Sequence, residues 1–173
     1  MNYIREFHPM EYDPANYTII QNNEDGNCLF ESIAHYYNWC ETTTESAKQI
    51  RRMISQYYDE VLPFYSHTDH TKIQNLLVEL VEFETANSVS RHQDKIKYDG
   101  IYGSVCDLIA AAILFKFHFN LYMKMSDGTY MLYTIRLLDE MVNNTPLEFL
   151  YSGCDIYHAV YTFVKNKHLK TNT

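Results

Sequence analysis

An α+β domain is the fold class the sequence predicts, and three observations carry it. The runs with helical period lie between residues 28 and 115. Runs with strand character crowd into residues 117–164 and include the hairpin dipeptide Asp127-Gly128. No linker and no internal repeat divides the two sets. Helices first and strands later favour a sheet packed with helices over alternating βαβ units.

Residues 1–16 are aromatic and polar, with Pro9 and Pro14, and read as an irregular arm or short helix. Tyr17-Thr18-Ile19-Ile20 reads as a short strand leading to a turn, Asp25-Gly26. Asn27 is a helix-capping residue type. Cys28, Leu29, Phe30, Ile33, Ala34 and Tyr37 then follow helical spacing, so the first helix should cover residues 28–38. A second helix follows Thr42-Thr43-Thr44, through Ala47, Ile50, Met53, Ile54 and Tyr57, and should end near Pro63. Arg51-Arg52 belong on its solvated face. Residues 64–70 form a polar loop with His67 and His70, a pair without further metal ligands beside it.

A third helix carries Ile73, Leu76, Leu77, Leu80, Val81 and Phe83. Residues 87–100 are polar and charged and read as a surface connection. Ser104 should cap a buried helix that is apolar nearly all round, from Val105 to Phe115. Residues 117–123 and 130–136 form the hairpin. Asn143-Asn144-Thr145-Pro146 reads as a loop, residues 147–151 as a strand, and residues 156–164 as the last strand. Residues 165–173 read as a frayed tail.

The chain of 173 residues is long enough for one domain with a real core. Its longest apolar run, residues 108–115, ends at Lys116 and is too short to cross a bilayer. The first residues lack the basic-then-apolar pattern of a secretion signal, so an intracellular setting, cytoplasm or nucleus, is expected. The net charge of −8 argues against nucleic acid as the main partner. Four cysteines, Cys28, Cys40, Cys106 and Cys154, lack C-x-x-C spacing, which argues against a zinc ribbon and for reduced thiols. No cofactor and no metal is expected, and the chain should be a monomer.

Cys28 is the candidate for chemistry. In the first turn of a helix, unpaired N–H groups and the positive dipole end favour a thiolate. The same N–H groups would hold an oxyanion. The alternative is an inert core thiol, the usual state of such a cysteine. A nucleophilic cysteine needs a base and an orienting group. Of the eight histidines, most sit in loops, tails or helix faces, where solvated histidine is the default. His158 differs, because it lies in an apolar strand just after a glycine turn.

At these residues the sequence resembles the ovarian-tumour (OTU) family of cysteine deubiquitinases. Asp25-Gly26-Asn27-Cys28-Leu29-Phe30, with Ser32, looks like the family's cysteine motif. Tyr102-Gly103-Ser104 looks like its aromatic-Gly-Gly block, and Leu150-Tyr151-Ser152-Gly153 its closing block. Order and spacing agree from about residue 17 to 164, which leaves 165–173 as a tail of a single domain. The resemblance implies a papain-like α+β fold, with a small mixed or antiparallel sheet packed between helices. It also implies isopeptidase activity on ubiquitin or a ubiquitin-like protein. Residue by residue it makes Cys28 the nucleophile and Asp25 the residue that shapes the cysteine loop and oxyanion site. Gly26 and Asn27 match the backbone of that site.

The closing block departs from the pattern. A gapless match puts Ile156 where the family has its histidine, with His158 in the place of the orienting acid. A turn longer by two residues makes His158 the base and keeps it on the same strand face. Val160 then stands where the acid should be, and Asp155 becomes the candidate orienter. A degenerate domain that binds a ubiquitin-like or other protein without cleaving it stays open on these residues.

Overall fold

In the computed structural model the residues described are 2–11, 17–20, 26–38, 44–61, 71–98, 100–138, 142–151 and 161–166. The elements in chain order are β1 (Asn2–Met10), β2 (Tyr17–Ile20), α1 (Cys28–Asn38), α2 (Thr44–Val61) and α3 (Lys72–Thr85). Then come α4 (Val89–Ile96), α5 (Val105–Phe115), β3 (Phe117–Lys124), β4 (Tyr130–Leu138), β5 (Asn143–Tyr151) and β6 (Tyr161–Asn166). The strands form one six-stranded mixed sheet in the order β1-β4-β3-β5-β6-β2. β3 and β5 pair parallel, and the other neighbours pair antiparallel. The sheet is flanked by helices, the α+β architecture expected from the sequence.

The main core lies between the helices and one face of the sheet. Phe117, Phe119 and Leu121 alternate along β3 and are buried there, with Ile135 and Leu137 of β4 and Phe149 of β5. Phe119 and Phe149 meet edge to face at 6.5 Å between ring centroids. From the helices come Leu29, Phe30 and Ile33 of α1, Ile50 and Ile54 of α2, and Ile73, Leu77 and Val81 of α3. α5 is buried from Cys106 through Ile113, as its apolar circumference demands. Each such large apolar side chain contributes about 1.5–3 kcal/mol on leaving water. On the opposite sheet face the described residues form a small cluster, Tyr122 and Leu150 with Met10, Tyr130 and Leu132.

Local chemistry sets the boundaries. Thr71 and Gln74 form a reciprocal capping box on α3, with 3.3 Å from the Gln74 amide to Thr71 Oγ1 and 3.0 Å back. The Ser104 amide donates to Asp107 Oδ2 at 2.9 Å and starts α5. Gly128, at φ +86°, closes the β3–β4 hairpin by donating its amide to the Met125 carbonyl.

Four sequence expectations are corrected. The N-terminal arm is a nine-residue edge strand, and Pro9 is tolerated because an edge strand need not donate every amide. Residues 87–100 are not a plain surface connection: they contain α4, whose Val89, His92, Gln93 and Ile96 recur at helical period and are buried. Residues 143–146 belong to β5 rather than to a loop. Pro146 falls where the β3–β5 register slips, between the pairs Phe117–Asn143 and Phe119–Leu147, and a bulge accommodates it. Lys165 and Asn166 are part of β6, paired with Thr18 and Tyr17, instead of opening a tail. Pro63, the His67–His70 loop, residues 152–160 and residues 167–173 lie outside the described residues.

Candidate active site

α1 begins at Cys28, as its spacing predicts. The Asn27 carbonyl accepts the Glu31 amide at 2.9 Å, and Ser32 Oγ donates to the Cys28 carbonyl at 2.8 Å. Cys28 therefore stands in the first helical turn, at the positive end of the dipole. Its residue is buried, with 1% exposed.

The turn before it is held from inside by Arg51. This arginine, expected on a solvated face, is fully buried in α2, while Arg52 beside it is exposed. Its Nη2 donates to the carbonyls of Gly26 (2.7 Å) and Ile101 (2.6 Å) and to Asn27 Oδ1 (2.7 Å). Nε also reaches Asn27 Oδ1, at 3.0 Å, and Nη1 donates to the Ile96 carbonyl at 3.1 Å. The guanidinium carbon lies 4.1 Å from the centroid of the Phe30 ring. A buried charge is tolerable when its donors are met in this way. Thus the Asn27 position opens the helix as expected, and its side-chain oxygen is committed to Arg51.

Glycines bring the loop at 100–103 against this turn. A Cβ on Gly26 would stand 1.9 Å from the Gly100 carbonyl oxygen, so only glycine permits that backbone approach. A Cβ on Gly103 would meet Leu29 Cδ2 at 2.5 Å. The cysteine turn and the Tyr102-Gly103-Ser104 block are therefore packed together. The third block arrives from the sheet. Burial pushes the Tyr151 phenol up, and the Cys28 thiol nearby adds to the rise. Tyr151 ends β5 and pairs across to Tyr161, the first residue of β6. β6 in turn packs against α1, the helix that Cys28 opens. Asp25, Asp155, Ile156 and His158 themselves lie outside the described residues.

Sequence reasoning passed over a second polar group. His92, Cys106 and Asp107 come together in the core, a cysteine–histidine–aspartate set of the kind thiol proteases use. His92 Nε2 lies 2.8 Å from Asp107 Oδ1, and Tyr58 Oη donates to that same oxygen at 2.7 Å. The His92 ring packs edge-on against Tyr58, and the Cys106 amide donates to Glu84 Oε1 at 2.8 Å. All three residues are buried. Burial, then the charge of Asp107, pushes the Cys106 thiol well above its ordinary value. In this arrangement the thiol stays protonated and out of reach of a protein substrate. Asp107 Oδ1 is met by His92 and Tyr58, and its Oδ2 by the Ser104 amide, so the carboxylate is satisfied without an ion. The set ties α2, α4 and α5 together. Ser88-x-x-x-His92, with a serine cap and apolar residues at helical spacing, was the signal that marks His92 as inward.

Among the described residues, no helix is long and apolar enough to cross a membrane. No protein-family model matches the chain, and no curated protein matches its sequence. Solved structures do match. The OTU of Hazara virus, solved bound to ubiquitin, superposes with a TM-score of 0.68 at 12% identity, over 96% of this chain and 92% of that one. The viral OTU domain protease of Taggert virus gives 0.63 at 16% identity, over 98% and 97%. An OTU deubiquitinase from Wolbachia pipientis wMel, bound to ubiquitin, gives 0.57 at 11% identity, over 89% and 98%. Likeness across nearly the whole of both chains, at such low identity, identifies an architecture: this chain has the fold of the OTU domains.

Proposed function

We propose that the chain is a thiol-dependent isopeptidase that removes ubiquitin or a ubiquitin-like modifier from lysine side chains. One observation carries the reading. Cys28 opens a helix beneath a glycine turn, in a fold whose solved examples include ubiquitin-bound OTU domains. In this mechanism His158 takes the Cys28 proton, and the thiolate attacks the carbonyl carbon of the modifier's C-terminal glycine. Backbone N–H groups of the 25–28 turn stabilise the tetrahedral oxyanion, with Asp25 shaping that loop and Gly26 and Asn27 supplying its backbone. Collapse breaks the C–N bond, and His158 returns the proton to the leaving lysine amine. Water, deprotonated by the same histidine, then cleaves the thioester and frees Cys28. Asp155 is the candidate to orient the imidazole. Support for His158 comes from the flanks of its segment, because Tyr151 pairs with Tyr161 and β6 packs against α1, the helix that Cys28 opens.

A ubiquitin C-terminal electrophilic probe tests this. Wild type and Cys106→Ala should form the adduct, whereas Cys28→Ala should not. Mapping the adduct to Cys106 would move the chemistry to the buried set. A second reading, a domain that binds without cleaving, is favoured by the burial of Cys28 and by Ile156 in the gapless match. Folded wild type that binds ubiquitin yet neither labels nor hydrolyses would establish it.

A further inference from the structure

We infer that Arg51 is a positioning residue for Cys28: its guanidinium fixes the Gly26–Asn27 peptide with the carbonyl turned inward. This deepens the isopeptidase reading and rests on it. In a trans peptide the carbonyl and the N–H point in opposite directions. Arg51 Nη2 holds the Gly26 carbonyl at 2.7 Å, so the Asn27 amide is committed to the other side of that plane. A flipped peptide would present oxygen in place of a donor. At an oxyanion that exchange turns attraction into repulsion.

The arginine is well fixed for this task. Its donors reach four oxygens, on Gly26, Asn27, Ile96 and Ile101, and its flat face lies on Phe30. These partners come from the cysteine turn, α1, the end of α4 and the 100–103 loop. The head group therefore has no freedom to swing, and the turn it grips inherits that rigidity. The buried positive charge is also hydrogen-bonded to Gly26 and Asn27, the two residues that precede Cys28, and a cation beside a cysteine favours thiolate over thiol. A lysine would keep the charge but lose the planar fork.

Two substitutions separate fork from charge in the full chain. Arg51→Lys should remain folded by circular dichroism. Its kcat on ubiquitin carrying a C-terminal fluorogenic amide should fall by about 100-fold or more, with KM changed less than about threefold, as for loss of an oxyanion donor. Ubiquitin C-terminal aldehyde, which forms a tetrahedral adduct, should lose at least about tenfold in affinity while unmodified ubiquitin binds as before. Arg51→Met should raise the pH midpoint for alkylation of Cys28 by iodoacetamide, and Arg51→Lys should leave it in place. Folded Arg51→Lys with wild-type kcat, or a loss that only tracks its unfolded fraction, overturns the inference. If wild type does not turn over the ubiquitin substrate, the isopeptidase reading fails separately. Arg51 is then judged by alkylation: a raised midpoint in Arg51→Met sustains its role, and identical profiles in all three proteins overturn it.

Discussion

Replacing Gly26 with alanine drives a methyl group into the backbone of another segment. Its carbon would stand 1.9 Å from the Gly100 oxygen, 2.2 Å from the Gly100 carbonyl carbon and 2.7 Å from its Cα. Ordinary contact begins near 3.5 Å, so the two segments must part by roughly 1.5 Å. Neither side yields easily, because both are backbone and Gly100 holds a φ of +82°. Parting them stretches the bond from Arg51 to the Ile101 carbonyl, now 2.6 Å, and the 3.5 Å contact from the Gly100 amide to Asn27 Oδ1. A hydrogen bond to a charged group contributes about 1.5–3 kcal/mol. Overpacking strain adds about 1–3 kcal/mol. The expected loss is therefore about 3–5 kcal/mol, which for a chain of this length lowers the melting midpoint by roughly 10 °C. Urea denaturation followed by far-ultraviolet circular dichroism measures it. A loss below about 1 kcal/mol with an unchanged slope would refute the claim that this approach is tight and consequential.

Other outcomes follow from the same contacts. Gly103→Ala meets only the far ends of Leu29 and Phe30, at 2.5 and 3.1 Å, so it should cost about 1–2 kcal/mol, less than Gly26→Ala in the same denaturation series; the reverse order would contradict the geometry. Tyr58→Phe removes the hydroxyl that reaches Asp107 and should cost about 1–3 kcal/mol, read by the same titration. Cys106, its thiol raised by burial, should resist iodoacetamide at pH 8 in the native protein and react once unfolded, as peptide mapping would show. The Cys106 thiol and the Tyr58 phenol are both pushed well above their ordinary values of 9.0 and 10.0. As pH climbs past those values the unfolded chain releases protons that the native chain keeps, so stability falls on the alkaline side. Cys106→Ala and Tyr58→Phe should each flatten the alkaline decline in melting midpoint; an unchanged slope in both would count against the assignment.

Legibility in the sequence followed the kind of signal each residue carries. The bounds of α1, the burial of α5 and the Asp127–Gly128 hairpin were readable, because periodicity and turn chemistry are local. β1 was hidden by Pro9, which argues against a strand until its place at the sheet edge is known. α4 was hidden because His92 and Gln93 fill inward positions that hydrophobic patterning reserves for apolar residues. Arg51 was the largest miss at the site. Two adjacent arginines on a helix read as solvated, and nothing local reveals that carbonyls from Gly26, Ile96 and Ile101 will converge on one of them. The cysteine turn was visible as a motif. Its inner support was not, because that support is assembled from segments distant in sequence.

The strand order has a temporal consequence. Both rims of the sheet come from strands that precede the helices in sequence: Asn2 opposes Leu138 and Tyr17 opposes Asn166. A ribosome makes each rim before the strand it pairs with, β1 before β4 and β2 before β6. The opening residues must stay uncommitted while the helices are made, and β2 cannot dock until β6 has emerged. Sheet closure is thus an event of late synthesis, slowed by the long loops that must be drawn together. Until then β1 and β2 are unsatisfied strands, open to capture by another nascent copy or by a chaperone.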